Sequence, residues 1–248
     1  MKFSPLVLAA ALLLAACSGP APRAVIVDGS IKVLDRGVPG IQPGASSGEW
    51  MVVRGAKDGQ LNVMDLQGAV VVRPDSPGGS WMGRRVATTI GATPYLRWSW
   101  YLEPLQFAGG PGEGTERGVR IVVFFRSLQR PSIERYAGWV GVPGPEWDRF
   151  VEFDFGGFGA ARAEDARFSK WVSDDAGRKL ALREPRAGQA GLWHAEAVDL
   201  TEVHKHFWPA EDPGNVQIVM VAVGGLRATV PPQATVAIGY LADVSLSK

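Results

Sequence analysis

Thr93-Pro94-Tyr95-Leu96-Arg97-Trp98-Ser99-Trp100-Tyr101-Leu102 decides how the rest of the chain is read. Side chains alternate between the two sides of a strand. Leu96, Trp98, Trp100 and Leu102 therefore share one face, and Arg97, Ser99 and Tyr101 share the other. The partner stretch Gly118-Val119-Arg120-Ile121-Val122-Val123-Phe124-Phe125-Arg126 gives Val119, Ile121, Val123 and Phe125 one apolar face, with Arg120 and Arg126 opposite. Both read as half-buried strands whose buried halves are aromatic and β-branched, the residue types that suit a pleated surface.

Working outward, short strand patterns recur at residues 50–54, 61–66, 69–73, 84–90, 137–142, 149–155, 168–172, 192–200, 216–223 and 235–246. Gly- and Pro-rich turns separate them, among them residues 55–59 and 74–79. Residues 216–223 are apolar on both faces, which predicts a central strand. Helix signals are few. Thr201 is a candidate cap for a short helix over 202–208 that Pro209 would stop, and residues 160–167 are a weaker candidate. Many short strands with little helix predict an all-β fold, an antiparallel β-sandwich or jelly roll with one or two short helices.

The N-terminus addresses the chain to the envelope. Met1-Lys2 precedes an apolar run of about a dozen residues, short of the roughly 20 that a spanning helix needs. Leu14-Ala15-Ala16-Cys17 resembles the bacterial lipobox, which implies acylation of Cys17 and a lipid anchor in the membrane. Ser18 after it resembles the arrangement sorted to the outer membrane, facing the periplasm. The expected organisation is a signal peptide over 1–16, lipidated Cys17 with a flexible tether to 48, and one β-sandwich domain over 49–248. Cys17 is the single cysteine, so no disulfide or thiolate metal site is available. Loss of Lys2 with the leader leaves basic and acidic residues equal in number. Such a balance excludes the broad basic surface of a nucleic-acid binder.

Several constellations invite chemistry. Gly44-Ala45-Ser46-Ser47-Gly48 matches the nucleophile-elbow pattern, but a Gly/Pro segment precedes it and a strand follows, so it reads as a turn. Gly109 to Gly114 lacks the Lys-Ser/Thr of a phosphate loop and reads as a loop bordering a ligand site. His204 and His206 diverge at i,i+2 on a helix, so with His194 they predict no metal site and no cofactor. Glu152 and Asp154 flank Phe153 on one strand face. Such carboxylates serve glycosidic acid–base catalysis, calcium ligation or plain pairing with neighbouring arginines. Nine Trp are many for this length. Trp98 and Trp100 fit the core, whereas Trp147, in a loop beside Glu146 and Asp148, is the candidate platform for a sugar ring. With the Trp98 face inward, Arg97 and Tyr101, Arg120 and Arg126, Glu152 and Asp154, and His194 and Glu196 are expected to form one mixed-charge ligand face, with Trp193, Ala195 and Ala197 buried.

The order of a Leu-Arg-Trp-x-Trp strand (Leu96–Trp100), an Arg-x-x-Val-Phe strand (Arg120–Phe124), a Tyr-x-x-Trp segment (Tyr136–Trp139), a Leu-Trp-x-x-Glu-x-x-Asp-Leu segment (192–200), Phe207-Trp208-Pro209 and a terminal Gly239-Tyr240-x-x-Asp243-Val244 strand resembles a bacterial envelope family. That family is catalogued as domain of unknown function three-zero-four-seven. The resemblance implies a jelly roll like those of galactose-binding-type domains and names no activity. Two loops depart from it, the Gly-rich 109–118 and the 224–232 segment.

Together these readings lead to an expected lipid-anchored, non-enzymatic module binding a saccharide or envelope glycan. One alternative is a glycan-active hydrolase or lyase using Glu152 and Asp154. A second is a structural or assembly lipoprotein that binds another envelope protein.

Overall fold

A computed structural model describes residues 23–24, 28–34, 49–54, 61–66, 69–74, 80–102, 117–130, 136–139, 142–155, 169–173, 178–182, 191–227 and 239–248. Cys17 and its leader, the 44–48 turn, the 109–114 loop and the 160–167 helix candidate lie outside them. In chain order the strands are β1 (Ser30–Lys32), β2 (Trp50–Arg54), β3 (Leu61–Leu66), β4 (Ala69–Pro74), β5 (Ser80–Thr89), β6 (Tyr95–Leu102), β7 (Arg117–Ser127) and β8 (Tyr136–Trp139). They continue as β9 (Val142–Trp147), β10 (Arg149–Phe155), β11 (Ser169–Ser173), β12 (Arg178–Leu182), β13 (Trp193–Asp199), β14 (Val216–Arg227) and β15 (Gly239–Ser247). One helix, α1 (Leu200–Phe207), follows β13, and a 3-10 turn (Pro213–Asn215) leads into β14.

Two antiparallel sheets form a β-sandwich. The first runs β13-β6-β15-β4-β3, with β1 also pairing to β15. The second runs β10-β7-β14-β5-β2. The chain passes between them at β5 to β6 to β7, and again at β13 to β14 to β15. This alternation is the mark of a jelly roll. The predicted phase of β6 is met: Leu96, Trp98 and Trp100 are all but inaccessible, facing Ile121, Val123, Phe125 and Phe153 of the second sheet. Trp98 packs edge-on against Trp100 at 5.2 Å and tilts against Phe153 at 5.4 Å.

Four expectations change. First, β7 is not half-buried, for Ile121 through Phe125 are all fully buried. Strand β9, which pairs with β8, lies over the outer face of the second sheet, where Val122, Phe124, Met220, Ala222, Met51 and Trp81 form a second apolar layer with Trp147. Second, β5 begins at Ser80, because Gly83 hides the strand pattern without breaking the ladder to β14. Third, the expected tether enters the sandwich. Ala24 bridges Val86, β1 pairs with β15, and Ile31, Val33 and Leu34 are buried. Turn-forming residues around these few apolar ones masked their alternation. Fourth, Asp199 rather than Thr201 caps α1, its Oδ1 accepting from the Thr201 N–H at 2.7 Å. The central position predicted for residues 216–223 holds, since β14 lies between β7 and β5.

The Trp98 indole N–H is buried with no hydrogen-bond partner. Trp98→Ala is expected to cost about 3–5 kcal/mol. Trp98→Phe, which also deletes the unsatisfied donor, should cost well under half of that. Urea unfolding of both variants measures the difference.

Candidate active site

The outer face of the second sheet carries the ionic groups that the alternation pointed to. Registers place Glu152 beside Val122, Ala222, Gly83 and Met51 in one row across β10, β7, β14, β5 and β2. The next row holds Asp154, Arg120, Gly224 and Trp81. Arg120 reaches diagonally to Glu152, Nη1 to Oε1 at 2.7 Å, with the two side chains 21% and 12% exposed. Beside this pair, Gly224 and Gly83 are interior strand positions with no side chain, flanked by Ala222. All three are buried, and Trp81 walls the far side. Glycine inside a strand weakens it and often marks the place where a ligand or another backbone comes close.

The opposite end of the same face is closed. Trp147 of β9 is 2% exposed and packs edge-on against Phe124 at 5.3 Å and Phe150 at 5.9 Å. Arg126 is held there by Gln217 Oε1, which accepts from its Nε at 3.1 Å, and lies 4.0 Å from Glu146.

A second polar cluster was not anticipated. Arg149 shares the inward phase of Val151 and Phe153 and is 1% exposed. Its Nε donates to Asp148 Oδ1 at 2.5 Å and its Nη1 to Glu211 Oε2, while the guanidinium lies 5.0 Å over the Trp208 ring. Asp148 Oδ2 accepts the Ser127 backbone N–H at 2.6 Å. Arg149 Nη1 also lies 3.4 Å from His204 Nε2. Arginine can only donate, so Nε2 accepts and the imidazole proton sits on Nδ1, which is buried without a partner. Burial lowers the His204 pKa to about 4, and the adjacent Arg149 charge pushes the same way. Burial pushes Glu211 up, but hydrogen bonds from Ser127 and Arg149 and the Arg149 charge outweigh it and hold the carboxyl below its ordinary range. The sequence did contain a signal, an arginine in phase with core residues directly after an aspartate.

The single mixed-charge face does not form. Arg97 and Tyr101 lie on the outer face of the first sheet, across the sandwich from Arg120, Arg126 and Glu152. On β13 the expected phase is reversed. His194 and Glu196 stand opposite Trp100 and Trp98, half-buried, whereas Trp193, Ala195 and Ala197 are exposed. Val198 and Leu200 fix this phase by entering the core, and the strand must follow them. His204 is buried against Phe125 and Trp208, and His206 is exposed. Among the described residues no three His, Cys, Asp or Glu side chains gather as a metal site. Glu152 faces a guanidinium instead of a cation site.

No family model matches the chain. No curated relative matches it either. Solved structures similar to it include the Humicola grisea Cel12A catalytic domain with a thio-cellotetraose, at 11% identity over 82% of this chain and 94% of that one, TM-score 0.47. A cellulase derived from Rhodothermus marinus Cel12A matches at 10% identity, 81% and 93% coverage and TM-score 0.47. A family 12 xyloglucanase from Bacillus licheniformis matches at 8% identity, 81% and 94% coverage and TM-score 0.47. At such values no residue role passes from them to this chain. The expected non-enzymatic saccharide-binding module is nevertheless corrected. The aromatic platform on which that expectation leaned, Trp147, is sealed in an apolar layer.

The buried cluster makes stability pH-dependent. A base whose folded pKa is depressed binds fewer protons than the unfolded chain between about 4 and 6.5. Its contribution is complete above that window and is lost as pH falls through it. Glu211 adds a loss below its own ordinary range. Urea unfolding at pH 7 and pH 4.5 should show a fall to which His204 contributes about 2 kcal/mol, screening allowed for. His204→Phe, which keeps a ring against Trp208, should shrink the fall by that amount.

Proposed function

We propose that the chain is a glycan-active hydrolase, held to the envelope by acylated Cys17, with Glu152 and Asp154 as its two carboxylates. The observation that carries this reading is Glu152 in its ion pair with Arg120, next to strand positions that Gly83 and Gly224 leave without side chains. Glu152 and Arg120 keep 12% and 21% of their side chains exposed there, and interior glycines of this kind often mark the close approach of a ligand.

In its ion pair Glu152 is a charged carboxylate, fit to attack an anomeric carbon or to stabilise positive charge developing there. Asp154, two residues along at the register position opposite Arg120, is assigned the acid that protonates the departing oxygen. Two-residue spacing on a strand sets their Cα atoms about 6.8 Å apart, compatible with carboxyl groups bracketing one glycosidic bond. Neither residue asks for a metal.

The test is release of new reducing ends from β-linked glucans, cello-oligosaccharides and xyloglucan among them, and from purified envelope glycan. Glu152→Gln should lower the rate at least about 100-fold, the scale on which a positioned carboxylate contributes. Asp154→Asn should do the same when the leaving group is poor, and much less with an activated aryl glycoside. A wild-type chain inert on every glycan, or a Glu152→Gln variant as fast as the parent, rejects the reading.

The anchor is tested separately. Cells fed a labelled fatty acid should label the parent chain in the membrane fraction, and Cys17→Ser should abolish the label.

A further inference from the structure

We propose that the open edge of the first sheet is a self-association surface, on which β13 pairs antiparallel with β13 of a second copy about a two-fold axis at Ala195.

Among the described strands β13 pairs only with β6 and stands last in the order of the first sheet. The Leu200 N–H donates to the Pro94 carbonyl at 2.7 Å, one step beyond the Asp199–Tyr95 pair. Directly opposed residues that exchange such bonds alternate along an antiparallel ladder. Even-numbered residues of β13 are thus bonded to β6, and Trp193, Ala195 and Ala197 aim their N–H and C=O groups away from it, at the open edge. All three are exposed. Natural edges are blunted with Lys, Pro or bulges, and Trp193-His-Ala-Glu-Ala-Val-Asp199 has no Lys or Pro and pairs with β6 without a register break. What it does carry is inward-pointing polar groups, His194 and Glu196, which would bar a strand of arbitrary sequence.

A twin strand answers them in one register. Two-fold pairing that keeps inner side chains with inner ones centres on a residue. Centred at Glu196 it opposes two carboxylates; centred at Ala195 it sets His194 against Glu196 of the second copy, twice. The same register lays Trp193 over Ala197 and Leu192 beside Val198 of the second copy, with the small Ala195 at the axis. Leu192 is 61% and Trp193 43% exposed, and they are among the few large apolar side chains so exposed in the described residues. Trp193 already leans on Tyr101 at 5.5 Å, so its ring is positioned before any partner arrives. About six ladder hydrogen bonds would join the copies. Hydrogen-bond complementarity between an imidazole and a carboxylate, and cover for the exposed apolar pair, both select a second copy over an unrelated strand.

Cysteine cross-linking tests the register in the full chain, whose one native cysteine, Cys17, provides the blank. At the axis, bonded residues bring their Cα atoms about 5.5 Å apart, within disulfide range. Ala195→Cys should give a disulfide-linked dimer under mild oxidation of membranes. Ala197→Cys, about 14 Å from its counterpart by four residues of offset, should not. Ala195→Pro, which deletes a ladder donor on an exposed edge, should shift the detergent-solubilised chain from dimer to monomer by sedimentation, with its far-UV dichroism unchanged. Equal cross-linking at 195 and 197, no cross-link at 195, or a monomeric parent would each overturn the proposal.

Discussion

A strand buried on both faces needs two covers, and the second sheet is built around that need. Residues 121–125 of β7 expose nothing, so the sheet must be roofed on the inside by Leu96, Trp98 and Trp100 and on the outside by Trp147 and its hairpin. The inner roof is the sandwich itself. On the outside the apolar layer gives way to charge across two neighbouring rows, at Glu152 beside Val122 and at Arg120 beside Gly224. An ion pair and two buried glycines share these rows.

The same constraint explains Arg149. The turn between β9 and β10 consists of one residue, Asp148, so the hairpin must re-enter the sheet at once and the next inward position falls to an arginine. A lone buried guanidinium would be prohibitive, and breaking such a pair typically costs several kcal/mol. Asp148, Glu211 and the Trp208 ring all attend it. The cluster thereby fastens the segment after α1 to the β9–β10 corner. His204 shares that pocket only because it stays neutral, so α1 and the corner respond to acid together.

Much of the architecture was legible because period-two alternation reports burial directly wherever one face meets water. Leu96–Trp100 and Val151–Phe153 obeyed it, and the unbroken apolar run at 216–223 marked a central strand. Alternation fails in two circumstances, and both occurred. On β7 a second cover buried the outer face, which no local pattern distinguishes from a half-polar strand when arginines sit only at its ends. On β13 small alanines carry almost no burial preference, so Trp193 alone tipped the reading the wrong way, while Val198 and Leu200 set the phase in the folded chain. The ion pair of Arg120 and Glu152 was foreseeable from the faces of two strands. The Gly83 and Gly224 floor beside it was not, since it arises from registers between segments far apart in sequence.

Stability alone does not account for Arg120 and Glu152. Two charged side chains with 21% and 12% exposure have surrendered most of their hydration, and a pair so placed returns little net stability relative to well-packed apolar residues. Interior glycines add a further cost, since each weakens its strand. The neighbouring row shows that this sheet accommodates an apolar solution, for Phe150, Phe124 and Met220 fill it under Trp147. Charge and glycine therefore occupy a stretch of this face that apolar residues could have filled, and the stability of an ion pair is not what explains them.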